Sequence, residues 1–351
     1  MRIVFITQTL DPEHGALAQT LDLVSALAAR VDELRVLARD DRWVDAPANV
    51  HVRTFDAVGK LGRAAAFERA LGASMPGADA VLVHMVPTFA LLAAPLARSR
   101  RTPLLMWYTH WNASRSLQLA TRVVDVALSV DRRSYPIASP KVRGIGHAID
   151  VSVFDAPPPE PHVGPLRLLN LGRTARWKGL ATLIDAFRSI DVEAQLELRG
   201  PSLTPDEEQH RRELVAAVAG DARIRLASPV SRAEVPELLR DADVFVSPAE
   251  PRVGATLDKA VYEAAACSRP VVTTNEAFAS FLGDLPLRLV APPRDVKALA
   301  QLLEQVVAAP VELRAEIGAE LRRRVVQNHS LDHWADAVIS TVSEVRSRRG
   351  G

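Results

Sequence analysis

Three cations stand between two glycines where an apolar segment gives way to a helical one. The segment reads Leu171-Gly172-Arg173-Thr174-Ala175-Arg176-Trp177-Lys178-Gly179. Glycine lets the backbone approach a ligand closely, and a helix N-terminus adds partial positive charge, so Arg173, Lys178 and Gly172 suit a phosphate group. The alternative is a solvated basic turn without a ligand. Spacing alone leaves both interpretations open.

A second polar group opens a predicted helix that follows the segment Ser247-Pro248-Ala249-Glu250. There, Glu263 could accept two hydrogen bonds from a ribose diol, as the acidic residue of dinucleotide-binding folds does. The alternative is an ion pair between Lys259 and Glu263, four residues apart, which stabilises a helix by roughly a few tenths of a kcal/mol. On spacing alone the ion pair is favoured.

Two further signals lie in the first half of the chain. His110 ends the apolar run Trp107-Tyr108-Thr109-His110-Trp111, where an imidazole could bind sugar hydroxyls or transfer a proton. A lone histidine is more often structural. Gly15, in the loop after the first predicted strand, could let backbone amides approach an anion, although most such loops are turns.

Several well-known signatures are missing from the sequence. It has no Gly-x-Gly-x-x-Gly after the first predicted strand, no Walker loop, no Gly-x-Ser-x-Gly and no His-Glu-x-x-His. Their absence argues against dehydrogenases, ATPases, serine hydrolases and zinc proteases. Asp241 and Asp243 precede a predicted strand rather than follow it, so we interpret them as structural and predict no metal site.

Short β-rich runs alternate with longer helical patterns, such as the helix predicted over 211–219, and this alternation is typical of the α/β class. Ten residues, 156–165, contain five prolines and predict a linker. We therefore predict two Rossmann-like domains, over 1–156 and 166–330, that face each other across a cleft. A last helix begins at Leu331 and completes the segment 331–351. All of the candidate residues follow predicted strands, where such sheets bind ligands.

The charge balance and the cysteine content argue against further classes of protein. The 351 residues carry 43 basic and 42 acidic side chains, which argues against a polybasic nucleic-acid-binding protein. A single cysteine, Cys267, favours a reducing compartment, and no secretion signal is visible, so we expect a cytoplasmic protein. A weak peripheral membrane contact through Arg98-Ser99-Arg100-Arg101 stays open, although a solvated loop is the preferred interpretation.

Taken in order, these segments resemble the GT-B glycosyltransferases, in particular the large retaining family 4. The resemblance covers nearly the whole chain. The motifs that carry it are Trp107-Tyr108-Thr109-His110, Ile145-Gly146-His147-Ala148-Ile149-Asp150, Gly172-Arg173 to Lys178-Gly179, Asp243-Val244-Phe245-Val246-Ser247-Pro248, Glu263-Ala264-Ala265-Ala266-Cys267 with Pro270-Val271-Val272, and Asn328-His329-Ser330-Leu331.

The resemblance implies a GT-B fold and assigns roles to several residues. Arg173 and Lys178 would grip the donor diphosphate, Glu263 would bind the nucleotide ribose, and His110 would lie beside the donor sugar. Gly15 matches a glycine loop near the phosphates, although Ala16 stands where the family often has a second glycine. The last helix would pack back on the first domain.

The chain departs from the family pattern at one important position. The family motif is Glu-x7-Glu, and Ala255 stands eight residues before Glu263. Glu250 could replace the missing glutamate through a longer loop, or Asp258 with Lys259 could support the site in an Asp-Lys-x-x-x-Glu variant. Ser268 also replaces a usual glycine.

The implied activity is transfer of a sugar from a nucleoside diphosphate donor to an acceptor hydroxyl, with retention of anomeric configuration. The donor is a co-substrate, and neither a cofactor nor a metal ion is expected. The acceptor could be a small molecule, a glycan or a lipid. Two alternatives stay open: a non-catalytic nucleotide-sugar-binding relative or partner subunit, and a sugar-nucleotide epimerase.

Overall fold

The computed structural model describes residues 1–14, 17–250 and 257–350, which group into two units. Unit 1 comprises Met1–Ala148 and the chain from Asn328 on, and unit 2 comprises Ile149–Gln327. Each unit is a parallel α/β structure, so the predicted fold class is confirmed.

Unit 1 contains a parallel sheet whose central strands are almost wholly apolar. Its strands are β1 (Arg2–Ile6), β2 (Thr9–Leu10), β3 (Glu33–Ala38), β4 (Asp40–Asp41), β5 (Val50–Thr54), β6 (Ala80–His84), β7 (Leu104–Trp107), β8 (Val126–Ser129) and β9 (Val142–Gly144). The main sheet has the order β5-β3-β1-β6-β7-β8-β9, and β2 pairs with β4. Ile3, Val4, Phe5 and Ile6 are fully buried, as expected for a strand covered on both faces.

Helices connect these strands and supply the rest of the unit 1 core. They are α1 (Thr20–Ala28), α2 (Gly59–Ser74), α3 (Pro87–Ser99) and α4 (Arg115–Val123). The rings of Phe55, Phe67 and Phe89 pack together with centroids 5.3 to 5.4 Å apart. These aromatic contacts join α2 and α3 to the segment that follows β5.

Unit 2 is a second doubly wound sheet. Its strands are β10 (Leu166–Leu171), β11 (Ala194–Arg199), β12 (Ile224–Ala227), β13 (Val244–Ser247) and β14 (Val271–Thr273). Its α-helices are α5 (Leu180–Arg188), α6 (Pro205–Val218), α7 (Val235–Asp241), α8 (Lys259–Ala266), α9 (Ala279–Leu282), α10 (Val296–Ala308) and α11 (Val311–Asn328), and short 3-10 helices span Arg176–Lys178, Arg232–Glu234 and Glu276–Phe278. The strand order is β12-β11-β10-β13-β14, which puts the topological switch point between β10 and β13.

The division between the units falls before the prolines. We predicted a first domain ending at 156, whereas unit 2 begins at Ile149. The difference has a physical cause, because residues just before the prolines pack on unit 2. Phe154 is buried with the Arg232 guanidinium 4.9 Å from its ring, and Ser268 Oγ donates a 3.0 Å hydrogen bond to the Ala156 carbonyl. Segment 156–165 itself contains neither helix nor strand.

The last helix, α12 (Leu331–Gly350), belongs to unit 1. Trp334 is fully buried, and its ring meets that of Trp107 with centroids 5.8 Å apart. Arg30, just after α1, forms ion pairs with Asp332 and Asp336 on α12. In the described residues, none of the helices has the length and apolar character needed to cross a membrane.

Candidate active site

Three loops of unit 2 meet at the carboxyl ends of their strands, and their backbones lie so close together that a Cβ atom has no room between them. The loop after β10 contains Gly172, whose N–H donates to the Arg199 carbonyl at 3.0 Å. A Cβ at Gly200 would lie 1.8 Å from the Gly172 carbonyl oxygen, and a Cβ at Gly179 would lie 2.0 Å from the Pro248 carbonyl oxygen. Only glycine fits at either contact. The loops after β10, β11 and β13 therefore pack directly backbone against backbone.

Arg173 is held by a buried carboxylate. Its Nε lies 3.3 Å from Glu207 Oε2, and its Nη2 contacts Glu207 Oε1. Glu207 is 4% exposed and also accepts a 2.7 Å hydrogen bond from the Leu203 N–H. Because both contacts use the Nε and Nη2 edge, the other edge of the guanidinium is left for a second acceptor.

The pKa of Glu207 is lowered, which favours the ionised carboxylate as the partner of Arg173. Burial alone would raise the pKa of this carboxyl, but the Leu203 N–H and the Arg173 guanidinium lower it, and the net effect is a lowered pKa. Glu207 is not among the site residues predicted from the sequence. A signal existed, because Thr204 and Pro205 mark a helix start whose first turn holds this glutamate.

Lys178 has a carboxylate partner as well. Its Nζ lies 2.7 Å from Asp258 Oδ1, and both side chains are largely buried. The same Nζ lies 4.5 Å from the centroid of the Trp177 ring, within range of a cation–π contact. Asp258 directly precedes α8, and Ser247 Oγ lies 3.5 Å from its Oδ2. The structure thus brings together two predicted residues from distant loops.

Arg176, the third cation of the loop, pairs with acidic residues of α6. The Arg176 guanidinium pairs with Glu213 on α6 at 2.9 Å, and its Nε lies 3.5 Å from Asp206. Arg176 therefore pairs with other carboxylates than those that hold Arg173 and Lys178.

Glu263 is among the most deeply buried charged residues of unit 2. It is 3% exposed, and its Oε1 lies 2.7 Å from Arg232 Nη2 and 3.3 Å from Lys259 Nζ. Burial would raise the pKa of Glu263, but Lys259 and Arg232 outweigh it, and the pKa is lowered. The ion pair predicted between Lys259 and Glu263 is present. Arg232, from the 3-10 helix after β12, was missed.

Glu250 is tied to the site through its backbone rather than through its carboxylate. Its N–H donates to the Trp177 carbonyl at 2.9 Å, while its side chain forms an ion pair with Arg294. Two other predictions lie outside the described residues: Gly15, and the position of the missing glutamate at Ala255. Gly172 lies against the Lys178 side chain, whose Cε is 3.7 Å from the place a Cβ would take.

His110 belongs to unit 1 and follows β7. It is exposed, its Nδ1 accepts a 3.2 Å hydrogen bond from the Asn112 N–H, and its ring stacks on Trp111 at 5.2 Å. Partial burial lowers the pKa of His110, which favours the neutral imidazole near pH 7. The neighbouring Thr109 lines a cavity of about 80 Å³ at the carboxyl ends of β6 and β7.

A larger groove of unit 2 lies apart from these residues. It measures about 440 Å³ and is lined by side chains from one face of the sheet, among them Arg167, Glu197 and Arg225. Arg173, Lys178 and Glu263 are located instead at the carboxyl ends of the strands, as the position of the switch point predicts.

Known proteins resemble this chain in two ways. Residues 165–309 match the family model described as "Glycosyl transferases group 1". Among solved structures, sucrose-phosphate synthase from Thermosynechococcus elongatus has a TM-score of 0.75 at 17% identity and covers 99% of this chain and 100% of its own. A glycosyltransferase from Rickettsia africae has a TM-score of 0.77 at 16% identity and covers 98% of each chain. No curated protein matches the sequence.

HepE from Anabaena, solved in complex with UDP, is also similar, with a TM-score of 0.76 at 16% identity over 98% of this chain and 100% of that one. These structures show that the chain has the GT-B fold, and the matched residues 165–309 are similar to the group 1 glycosyl transferases. The resemblance to GT-B glycosyltransferases seen in the sequence is confirmed, and the segment that matches the family model lies within unit 2.

Proposed function

We propose that the protein transfers a sugar from a nucleoside diphosphate donor to an acceptor hydroxyl, with retention of configuration and without a metal ion. The observation that carries the proposal is the pair of oriented cations in unit 2. Arg173 and Lys178 are each fixed by a carboxylate and lie in a single loop that opens a helix. A diphosphate needs such a combination of charge and direction.

Cleavage of the anomeric bond develops negative charge on the leaving diphosphate. Arg173 and Lys178 would stabilise this charge more in the transition state than in the ground state, which is the condition for faster turnover. The N-terminus of α5, next to Gly179, adds partial positive charge. Because the chain supplies these positive groups itself, the proposed mechanism assigns no role to a metal ion.

The donor nucleotide follows from similar reasoning. Glu263 would accept hydrogen bonds from the ribose diol, and His110 of unit 1 would act beside the donor sugar. Structures of similar fold contain UDP and UDP-glucose, so a uridine nucleotide is the first donor class to test. For retention, the acceptor would attack on the leaving-group face, and the departing phosphate would take the acceptor proton.

The test compares Arg173→Ala and Lys178→Ala with Arg176→Ala. All three remove a cation of the same loop, but Arg176 faces Glu213 and serves as the matched control. We measure release of nucleoside diphosphate from UDP-, GDP-, ADP-, CDP- and dTDP-sugars. Loss of one charge-assisted contact, worth about 1.5 to 3 kcal/mol, lowers turnover roughly 10- to 150-fold in the first two variants only. Equal turnover in all three variants would contradict the assignment.

Two additional readouts test the finer parts of the proposal. Proton NMR of the product reports whether the anomeric configuration is retained. Turnover in the presence of a strong chelator should equal turnover without it, and loss of activity that added Mg²⁺ or Mn²⁺ restores would refute metal independence.

A non-catalytic nucleotide-sugar-binding role is the second candidate. The sequence favours it at one position, because Ala255 replaces the glutamate that the family pattern has there. It predicts nucleotide-sugar binding with no release of nucleoside diphosphate from any of the five donors.

A further inference from the structure

Arg232 contacts the buried carboxylate that we assign to the ribose. It lies in the 3-10 helix Arg232–Glu234 directly after β12, whereas Glu263 lies in α8. The distance from Arg232 Nη2 to Glu263 Oε1 is 2.7 Å, shorter than the 3.3 Å from Lys259 Nζ to the same oxygen. The nearer of the two cations therefore comes from a different strand connection.

The position of Arg232 is built by several contacts. Its guanidinium carbon lies 4.9 Å from the centroid of the Phe154 ring, a cation–π distance. The start of its 3-10 helix is fixed by a capping box, in which the Ser231 and Glu234 side chains each pair with the backbone of the other residue. Arg232 is therefore held in place on one side while half of its side chain stays exposed.

The two cations leave the carboxylate with an asymmetric environment. Both cations come closest to the carboxylate at Oε1. A carboxylate oxygen carries two lone-pair sites, so Oε2 can accept both hydroxyls of a diol or one hydroxyl and a water molecule. One negative charge also meets two positive ones, which favours a ligand with negative charge.

We propose that Arg232 is a positioning residue for the nucleotide ribose, which clamps Oε1 of Glu263 and so presents Oε2 to the ribose hydroxyls. The inference rests on the proposed function and adds to it a residue that determines nucleotide affinity. A purely structural ion pair is the alternative. If the ion pair is purely structural, removal of the Arg232 side chain leaves ribose recognition unchanged.

Removal of Arg232 also changes the protonation of Glu263. Burial raises the pKa of this carboxyl, whereas Lys259 and Arg232 lower it, so removal of Arg232 takes away one of the charges that oppose the effect of burial. The nearby Cys267 thiol stays neutral, because burial raises its pKa to about 12. The ribose contact needs the ionised carboxylate. As the pH is lowered, a variant that lacks Arg232 should therefore lose nucleotide affinity at a higher pH than the wild type does.

The experiment is calorimetric titration of the whole protein with UDP and with pyrophosphate, which lacks the ribose, between pH 5 and 8. Arg232→Gln should weaken UDP binding at least tenfold at pH 7 and further at pH 5.5, and change pyrophosphate binding less than threefold. Arg232→Lys should restore part of the UDP affinity. Arg225→Gln is the matched control, since Arg225 also pairs with a glutamate, Glu197, but lies at the sheet face.

Three results would overturn the inference. If Arg232→Gln binds UDP with the affinity and pH profile of the wild type, the ion pair is purely structural. Equal losses for UDP and pyrophosphate would show that Arg232 acts on the phosphates through its charge. If the wild type binds pyrophosphate but neither UDP nor ADP, GDP, CDP or dTDP, the proposed function fails, and the inference fails with it.

Discussion

Replacing Gly179 with alanine perturbs the place where the cation loop meets the loop after β13. Gly179 has φ +68° and ψ 19°, a left-handed conformation, and directly precedes α5. A Cβ there would lie 2.0 Å from the Pro248 carbonyl oxygen and 2.9 Å from its carbonyl carbon. Both contacts are with backbone, so a side-chain rotation cannot relieve them.

Two separate costs follow from this geometry. A left-handed alanine costs roughly 1 to 2 kcal/mol relative to a relaxed backbone. Pushing the two loops apart by about 1 Å adds a cost typical of overpacking, about 1 to 3 kcal/mol. The expected loss for Gly179→Ala is therefore about 2 to 5 kcal/mol, and Lys178 moves with its loop.

Gly220→Ala is the matched control. Gly220 also has a positive φ, +87°, but nothing lies within 4 Å of the place its Cβ would take. It should therefore show only the backbone cost, about 1 to 2 kcal/mol.

The assay is urea unfolding of both variants, followed by nucleoside diphosphate binding. Gly179→Ala should be the less stable variant and should lose nucleotide affinity, whereas Gly220→Ala should bind as the wild type does. Equal stability of the two variants would refute the inference that the backbone at Gly179 packs directly against the Pro248 carbonyl.

Three more predictions follow from single groups. Glu207→Gln should weaken nucleoside diphosphate binding about tenfold, because an amide holds Arg173 less firmly than a carboxylate; unchanged affinity in a titration would contradict this. Burial lowers the pKa of His84 to about 4, so the unfolded chain takes up a proton first as pH falls. Stability should therefore drop by about 3 kcal/mol between pH 6.5 and 4, and His84→Asn should flatten this slope in urea unfolding. Trp334→Ala should cost about 3 to 5 kcal/mol by removing a fully buried ring, and an unshifted melting temperature would argue against the contact with Trp107.

Local patterns in the sequence predicted the fold class and the edge of the sheet where the candidate residues lie. Strands such as β1 and β10 are mostly apolar segments followed by polar loops, and this signal does not depend on distant residues. The pairing of Lys259 with Glu263 was also predictable, because four residues make one helical turn.

The partners of the site were harder to predict because the topology selects them. Glu207 lies 34 residues after Arg173 in the chain and meets it only because β10 and β11 are neighbours. In sequence it is one acid among three in the first turn of α6, where acids also serve the helix dipole. That helix begins at Pro205 rather than at 211, since Thr204 accepts a hydrogen bond from the Glu207 N–H and the proline suits its first turn.

Arg232 was missed for the same reason. Nothing local distinguishes it from the many solvated arginines, and its role depends on Glu263 and Phe154 on other segments. The boundary between the units also depended on such contacts, because the prolines mark where regular structure stops but not which unit the preceding residues pack against.

The central claim is that unit 2 binds a nucleoside diphosphate through Arg173 and Lys178. The most direct measurement is a thermal-shift panel with UDP, GDP, ADP, CDP and dTDP on the wild type, Arg173→Ala, Lys178→Ala and Arg176→Ala. A nucleotide at about 100 times its dissociation constant stabilises the folded protein by about 2.7 kcal/mol. We expect a shift with at least one nucleotide, which is lost in Arg173→Ala and Lys178→Ala and kept in Arg176→Ala. A folded wild type that shifts with none of the five would contradict it.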